Sequence, residues 1–343
     1  MRVVGGSLIE RSFKVSQAGY GNGPAATECS MARFASPALL ALAAAAALAA
    51  PALAADPASC KTVKMSDPGW SDITSTNALA STVLDGLGYE ADIETLAVPI
   101  GYQSLANKQI DVFLGNWMPA QQKFRDELDA KKSADVLTKN LEGAKFTLAV
   151  PNYVAEAGVK DVKDLGTNAD KFKKAIYGIE PGAPANLNIQ SMIDAPDYNL
   201  KDWKLVDSSE QGMLAQVQKA ERSKDWIVFL AWAPHPMNTM GLTYLSGADQ
   251  FFGPNYGGAE VFTLARAGYA AECPNVAKLF SQLRFAVPME NEMMAKLAEG
   301  TDPKKAATEW LKANPAVLEP WLAGVTTLDG QPGLAAVKAE IEG

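Results

Sequence analysis

The chain has 343 residues, 48% of them hydrophobic and 20% charged, with 31 Lys+Arg against 39 Asp+Glu for a net charge of −8. That is too apolar for a disordered tail and leaves room for two domains of about 100–200 residues each. The acidic balance argues against a nucleic-acid partner, which calls for a basic stripe, and one His with three Cys is a thin supply for a zinc site.

Residues 1–30 show no apolar period and are expected to be a non-native or upstream-start extension. Met31-Ala32-Arg33-Phe34 then opens a short basic start, followed by a Leu/Ala run over 38–50 and small residues at −3 and −1 of a cut after Ala54. A charged start, an apolar run and an A-x-A site read as a secretory signal peptide over 31–54. The run is short of the roughly 20 residues a membrane span needs. Cleavage there would leave residues 55–343, a net charge of −10 and a periplasmic protein. Cys29 leaves with the signal, so Cys60 and Cys273 remain as an even pair in a disulfide-permissive compartment, and a bridge between them is expected. The alternative for Cys60 is a lipid anchor, which its distance beyond the apolar run disfavours.

The mature chain alternates short apolar runs with helical periods. Strands are expected at 62–65, 91–98 and 110–115, with helices at 72–87, 102–108 and 120–132 between and after them. Such alternation predicts an α/β fold with a largely parallel sheet. The pattern restarts after Gly143, with strands at 146–150, 175–179, 204–206 and 226–231 and a helix at 211–222. A Gly/Asn/Pro-rich stretch at 247–258 reads as a crossing, followed by a strand at 261–266 and helices to the end. The expected disulfide joins the first and last of these blocks. One lobe is therefore expected from 55–143 and 251–343, with 144–250 inserted as the second, and a ligand cleft between them at the strand ends.

Three tryptophans share one setting. Trp70 follows Asp67-Pro68-Gly69, Trp117 precedes Met118-Pro119, and Trp232 precedes Ala233-Pro234-His235-Pro236. Each is expected just past the C-terminal end of a strand, where the cleft should lie. Trp203, Trp226, Trp310 and Trp321 lack that setting and read as packing residues. An aromatic box suits a quaternary ammonium, which has no N–H to donate; each cation–π contact contributes roughly 0.5–2 kcal/mol.

The motifs Gly69-Trp70-Ser71-Asp72, Gly115-Asn116-Trp117-Met118-Pro119, Glu180-Pro181-Gly182, Trp232-x-Pro234-His235-Pro236-Met237-Asn238 and Phe252-Gly253-Pro254-Asn255-Tyr256-Gly257-Gly258 resemble those of the periplasmic choline-binding proteins of ABC importers, within the wider choline/glycine-betaine receptor family. The resemblance runs over nearly all of the mature chain. It implies a two-lobed type II periplasmic binding protein that closes around its ligand, with a disulfide like Cys60–Cys273. It also implies a cage of Trp70, Trp117 and Trp232, with Asp72 receiving the choline hydroxyl. Two positions depart from the choline pattern: Phe146 stands where the fourth cage wall is a tyrosine, and Ala183 where an asparagine helps hold the alcohol. Asn186 and Asn188 are the nearest amides that could reach the same space.

Asp72 has a plainer alternative role as a helix N-cap beside Ser71. Facing the cleft, its carboxylate would favour a hydroxyl donor and repel the carboxylate of betaine or carnitine unless protonated or offset by a base. Lys145 should point to the opposite face of its strand from Phe146, so choline ranks ahead of betaine. His235 reads as a structural hydrogen-bonding residue of its loop, and Glu180 as part of a turn shaping backbone near the ligand. Neither Gly-x-x-x-x-Gly-Lys-Ser/Thr nor Gly-x-Ser-x-Gly occurs. The expectation is a non-enzymatic, monomeric receptor without cofactor or metal, which passes choline or a related quaternary amine to the transmembrane subunits of an ABC permease. The alternatives are a receptor for glycine betaine, carnitine or trimethylamine oxide, and a secreted choline-ester or phosphocholine hydrolase.

Overall fold

The computed structural model describes residues 55–343. The expected signal peptide over 31–54, its cut after Ala54 and the extension before it lie outside the described residues. Nine strands form one sheet: β1 Thr62–Asp67, β2 Glu90–Thr95, β3 Val112–Met118, β4 Ala134–Pro151, β5 Ala175–Tyr177, β6 Lys204–Val206, β7 Phe229–Ala233, β8 Leu242–Tyr244 and β9 Gly258–Arg266. Their order is β2-β1-β3-β9-β4-β7-β5-β6, with β8 added on β4. Helices cover the sheet, as expected of an α/β chain with two lobes.

The sheet is mixed rather than largely parallel. β1 pairs parallel with β2 and β3, and β5 with β6 and β7, because helices return the chain to the same sheet end there. The middle is antiparallel: β9 runs against β3 and β4, and β4 against β7 and β8. β4 joins the two halves of the sheet in one strand of 18 residues, pairing with β9 from Ala134 to Lys145 and with β7 from Lys145 to Ala149. The expected start of this strand at 146 is too late. Three register shifts against β9 break the period-2 alternation that would mark its first half. The 247–258 stretch contains one short helix, Asp249–Phe252, and a left-handed turn at Asn255 and Tyr256, φ 58° and 60°, before β9 begins.

Two strands run further than expected. Trp117 lies within β3 opposite Val261, and Trp232 within β7 opposite Phe146, so neither stands beyond a strand end. Their backbones find partners in β9 and β4, and Pro119 and Pro234 break the run only after both tryptophans. Trp70 does follow its strand. Asp67 accepts from the Gly69 N–H at 2.7 Å and from Thr74 Oγ1 at 2.7 Å, and Gly69 takes φ +87°. This turn delivers an extended Trp70 as the N-cap of the Ser71–Gly86 helix.

The Ser71–Gly86 helix packs against Val287–Ala298, Pro303–Ala313 and Gly333–Glu342, all from the far end of the chain. Asp56 accepts from the backbone N–H of Asn275 at 2.8 Å and Val276 at 2.9 Å, seating a carboxylate at the start of the Pro274–Gln282 helix. Beside it Cys60 and Cys273 form a disulfide, their Cα atoms 5.7 Å apart across 213 positions of sequence. Among the described residues, no helix is long and apolar enough to cross a membrane.

Candidate functional site

Trp70, Asp72, Trp117, Phe146 and Trp232 come together around one small cavity of about 40 Å³, completed by Ala120, Gln121, Ile179, Pro184, Ala185 and Leu230. The strands explain the convergence. Phe146 and Trp232 are direct cross-strand partners, so their side chains share one face of the sheet. Trp117 meets Phe146 edge-on, with ring centroids 6.4 Å apart at 84°. Phe252 backs Phe146 at 5.5 Å. All four rings are nearly buried, from 4% exposed at Phe146 to 9% at Trp70.

Two indoles are fixed by their N–H edges. Trp70 Nε1 donates to both carboxylate oxygens of Glu180, at 3.1 and 3.0 Å, and Trp117 Nε1 donates to Asp72 Oδ2 at 3.1 Å. The other oxygen of Asp72 is buried without a hydrogen-bond partner among the described residues. Burial, and then the nearby negative charge of Glu210, push the Asp72 carboxyl up to about 8. At neutral pH it therefore holds its proton. Asp67 and Glu180 are raised as well, each mainly by burial, and Glu290 is held well above the carboxylate range by burial and by Asp72. Asp72 is not the N-cap of its helix; that position belongs to Trp70.

Ala183 is fully buried and precedes the Pro184–Asp194 helix, but it does not face the cavity; its neighbours Pro184 and Ala185 do. Asn186 cannot stand in for the missing amide. Its Oδ1 accepts from the Ile179 N–H at 3.0 Å, and its Nδ2 donates to the carbonyls of Ile179 and Glu180 and to Asp207. Asn188 is absent from the lining. Lys145 is turned to the Tyr244 ring, 4.2 Å from its centroid, and among the described residues the lining contains no Lys or Arg. Trp203 and Trp226 pack on Phe172 and Trp321 on Phe285, while Trp310 donates to Glu292 at 2.7 Å.

Two carboxylates beside the cavity were not legible as such. Glu180 reads as a turn residue but holds Trp70. Glu210, one residue before the helix expected at 211–222, opens the observed Glu210–Ser223 helix after the N-cap Ser209; it accepts from the backbone N–H of Ser71 at 2.9 Å and from His235 Nε2 at 3.0 Å. No spacing in the sequence announces partners 110 and 139 positions away.

Residues 61–313 match the model of a family described as the substrate-binding domain of an ABC-type glycine betaine transport system. Among solved structures, an ABC-transporter choline-binding protein in complex with choline is 55% identical. It covers 83% of this chain and all of its own length, with a TM-score of 0.82. A lactococcal protein in its closed form with glycine betaine is 28% identical over 76% of this chain and 99% of its own, at a TM-score of 0.69. A glycine betaine/carnitine transport binding protein of Listeria monocytogenes is 34% identical over 172 residues, 49% of this chain and 54% of that protein.

Proposed function

The chain belongs to the family of substrate-binding domains of ABC-type glycine betaine transport systems, and we propose that it captures choline, or a close quaternary amine, in the aromatic cavity and delivers it to its permease. The observation that carries this reading is one cavity lined by Trp70, Trp117, Phe146 and Trp232 together with a single buried carboxyl, Asp72. Ring faces offer negative quadrupole density to a methylated ammonium at small desolvation cost, roughly 0.5–2 kcal/mol for each ring. A cation among them also favours the charged form of Asp72. Choline would then donate its hydroxyl to the unpaired Oδ1, and the Asp72 proton would leave to solvent. The choline complex of a protein 55% identical to this one supports the same choice.

Glycine betaine is the second reading, and the state of Asp72 favours it. A carboxyl held protonated up to about pH 8 can donate to a ligand carboxylate instead of repelling it. The rest of the proposal follows the family: an exported monomer, cut after Ala54, that binds without turning its ligand over. Its lobes would be 55–143 with 251–343, and 144–250.

Calorimetric titration of residues 55–343 with choline, glycine betaine, carnitine, acetylcholine and trimethylamine oxide tests the reading. Two buffers of different ionisation enthalpy should reveal release of about one proton on choline binding and none on betaine binding. Tightest binding to choline with proton release is the expected result. Silence toward every quaternary amine would reduce the tryptophans to packing, and hydrolysis of a choline ester would move the protein into another class.

A further inference from the structure

The cavity is built from both halves of the sheet, and Glu210 ties those halves together beside it. Glu210 opens the Glu210–Ser223 helix and is 3% exposed. One carboxylate oxygen accepts from the N–H of Ser71, the first residue of the Ser71–Gly86 helix. The first-turn N–H groups of a helix have no partners within it, and that end carries the positive pole of the dipole. A buried anion from the opposite half is therefore well matched to this place.

The other oxygen of Glu210 faces His235. His235 Nδ1 accepts from the Met237 N–H at 2.9 Å, so the ring proton sits on Nε2 and is donated to Glu210 at 3.0 Å. The imidazole also packs edge-on against Trp232, centroid to centroid 4.9 Å. A continuous path thus runs from a cage ring of one half, through His235 and Glu210, to the Trp70-Ser71-Asp72 turn of the other.

We infer that Glu210, oriented by His235, is an inter-lobe latch that positions Trp232 against the Trp70–Asp72 turn and couples lobe closure to the charge in the cavity. Closing carries the Glu210 carboxylate toward Asp72, and its negative charge is one of the reasons Asp72 keeps its proton. Asp67 from β1 bears on Asp72 in the same sense, and Asp72 in turn helps to keep the proton on Glu290 of the Val287–Ala298 helix, while the Trp117 Nε1–H from β3 favours the ionised form of Asp72. A cation in the cage offsets this accumulation of negative charge; a neutral molecule does not. Glu210 is a positioning residue in this scheme, since it does not line the cavity.

The inference rests on the quaternary-amine reading of the site, and the test separates the two. Choline and glycine betaine are titrated into residues 55–343 at pH 6 to 9, in the wild-type protein, in Glu210→Gln and in Ser71→Pro. Wild-type affinity for choline should climb with pH and level off above about 8, the value to which Asp72 is raised. Glu210→Gln keeps the size of the side chain and removes its charge. Its plateau should be reached at lower pH, and affinity on the plateau should fall about tenfold with the charge-assisted bond. Ser71→Pro keeps the charge and removes the N–H. Proline suits the first helical position, and the extended Trp70 before it, φ −95° and ψ 136°, is compatible with that ring. This variant should lose affinity without moving the pH midpoint.

Unchanged affinity and midpoint in Glu210→Gln would overturn the latch, with the cage reading intact. A midpoint shift in Ser71→Pro as large as in Glu210→Gln would overturn the coupling to Asp72. A wild-type protein that binds no quaternary amine would remove the cage reading and the latch with it.

Discussion

A carboxyl buried with one oxygen unpaired is most cheaply kept by retaining its proton, and Asp72 does so up to about pH 8. The sign of its effect on stability follows. The unfolded chain loses this proton near 3.8, the folded protein only near 8. The contribution of Asp72 is therefore present in full below about pH 4 and is lost as pH rises through 8. Thermal unfolding of the ligand-free protein should shift to lower temperature between pH 6 and 9, and Asp72→Asn should flatten much of that slope. Some slope will remain, because Asp67, Glu180 and Glu290 are raised in the same direction. Trp117 makes a second prediction at this scale. Trp117→Ala removes a ring, and choline affinity should fall tenfold or more. Trp117→Phe keeps a ring face but deletes the N–H donated to Asp72. Its loss should be smaller, and the pH at which choline binding levels off should move upward, read by the same titrations. The three tryptophans were legible from the prolines that flank their turns, and Phe146 and Asp72 through the family resemblance, although Trp117 and Trp232 lie within their strands and not beyond them. The carboxylates that fix the rings were not, since Glu180 and Glu210 meet their partners only through the fold.

At the scale of elements, the segment that leads from β8 into β9 turns on Gly257. Its φ is +70°, and a Cβ there would run into the backbone carbonyl of Phe146. The segment therefore lies directly on the strand that carries a cage ring, an approach open to glycine alone. Gly257→Ala should cost about 1–3 kcal/mol in denaturant unfolding and weaken choline binding by displacing Phe146. Gly143→Ala is the control: its φ is +77°, but its Cβ would have nothing within 4 Å, so only the backbone cost of about 1 kcal/mol applies and affinity should hold. Strand–helix alternation located seven of the nine strands to within a few residues. It failed along β4, where Asp135, Lys139 and Glu142 and three register shifts hide a paired strand behind an irregular pattern. The antiparallel centre was hidden for the same reason, because β4 supplies most of it.

The whole molecule is held by contacts made late in the chain on residues placed early. The disulfide Cys60–Cys273 spans 213 positions, and Asp56 binds the start of the Pro274–Gln282 helix beside it. A cross-link over so long a loop acts chiefly on the unfolded chain, with an entropic ceiling of about 5 kcal/mol. The even pair of cysteines in an exported chain was enough to expect the bridge; the Asp56 contacts had no counterpart in the pattern. Neither cysteine lines the cavity, and neither takes part in the bonds of Glu180 and Glu210 that join the halves. The double substitution Cys60→Ser with Cys273→Ser should therefore lower stability by several kcal/mol in denaturant titration while leaving choline affinity within about twofold, because the native positions of the two halves are set by β4, β9 and the carboxylate contacts. A fall in affinity as large as that of Glu210→Gln, with the protein still folded, would mean that the bridge sets the geometry of the cavity as well as the stability of the chain that builds it.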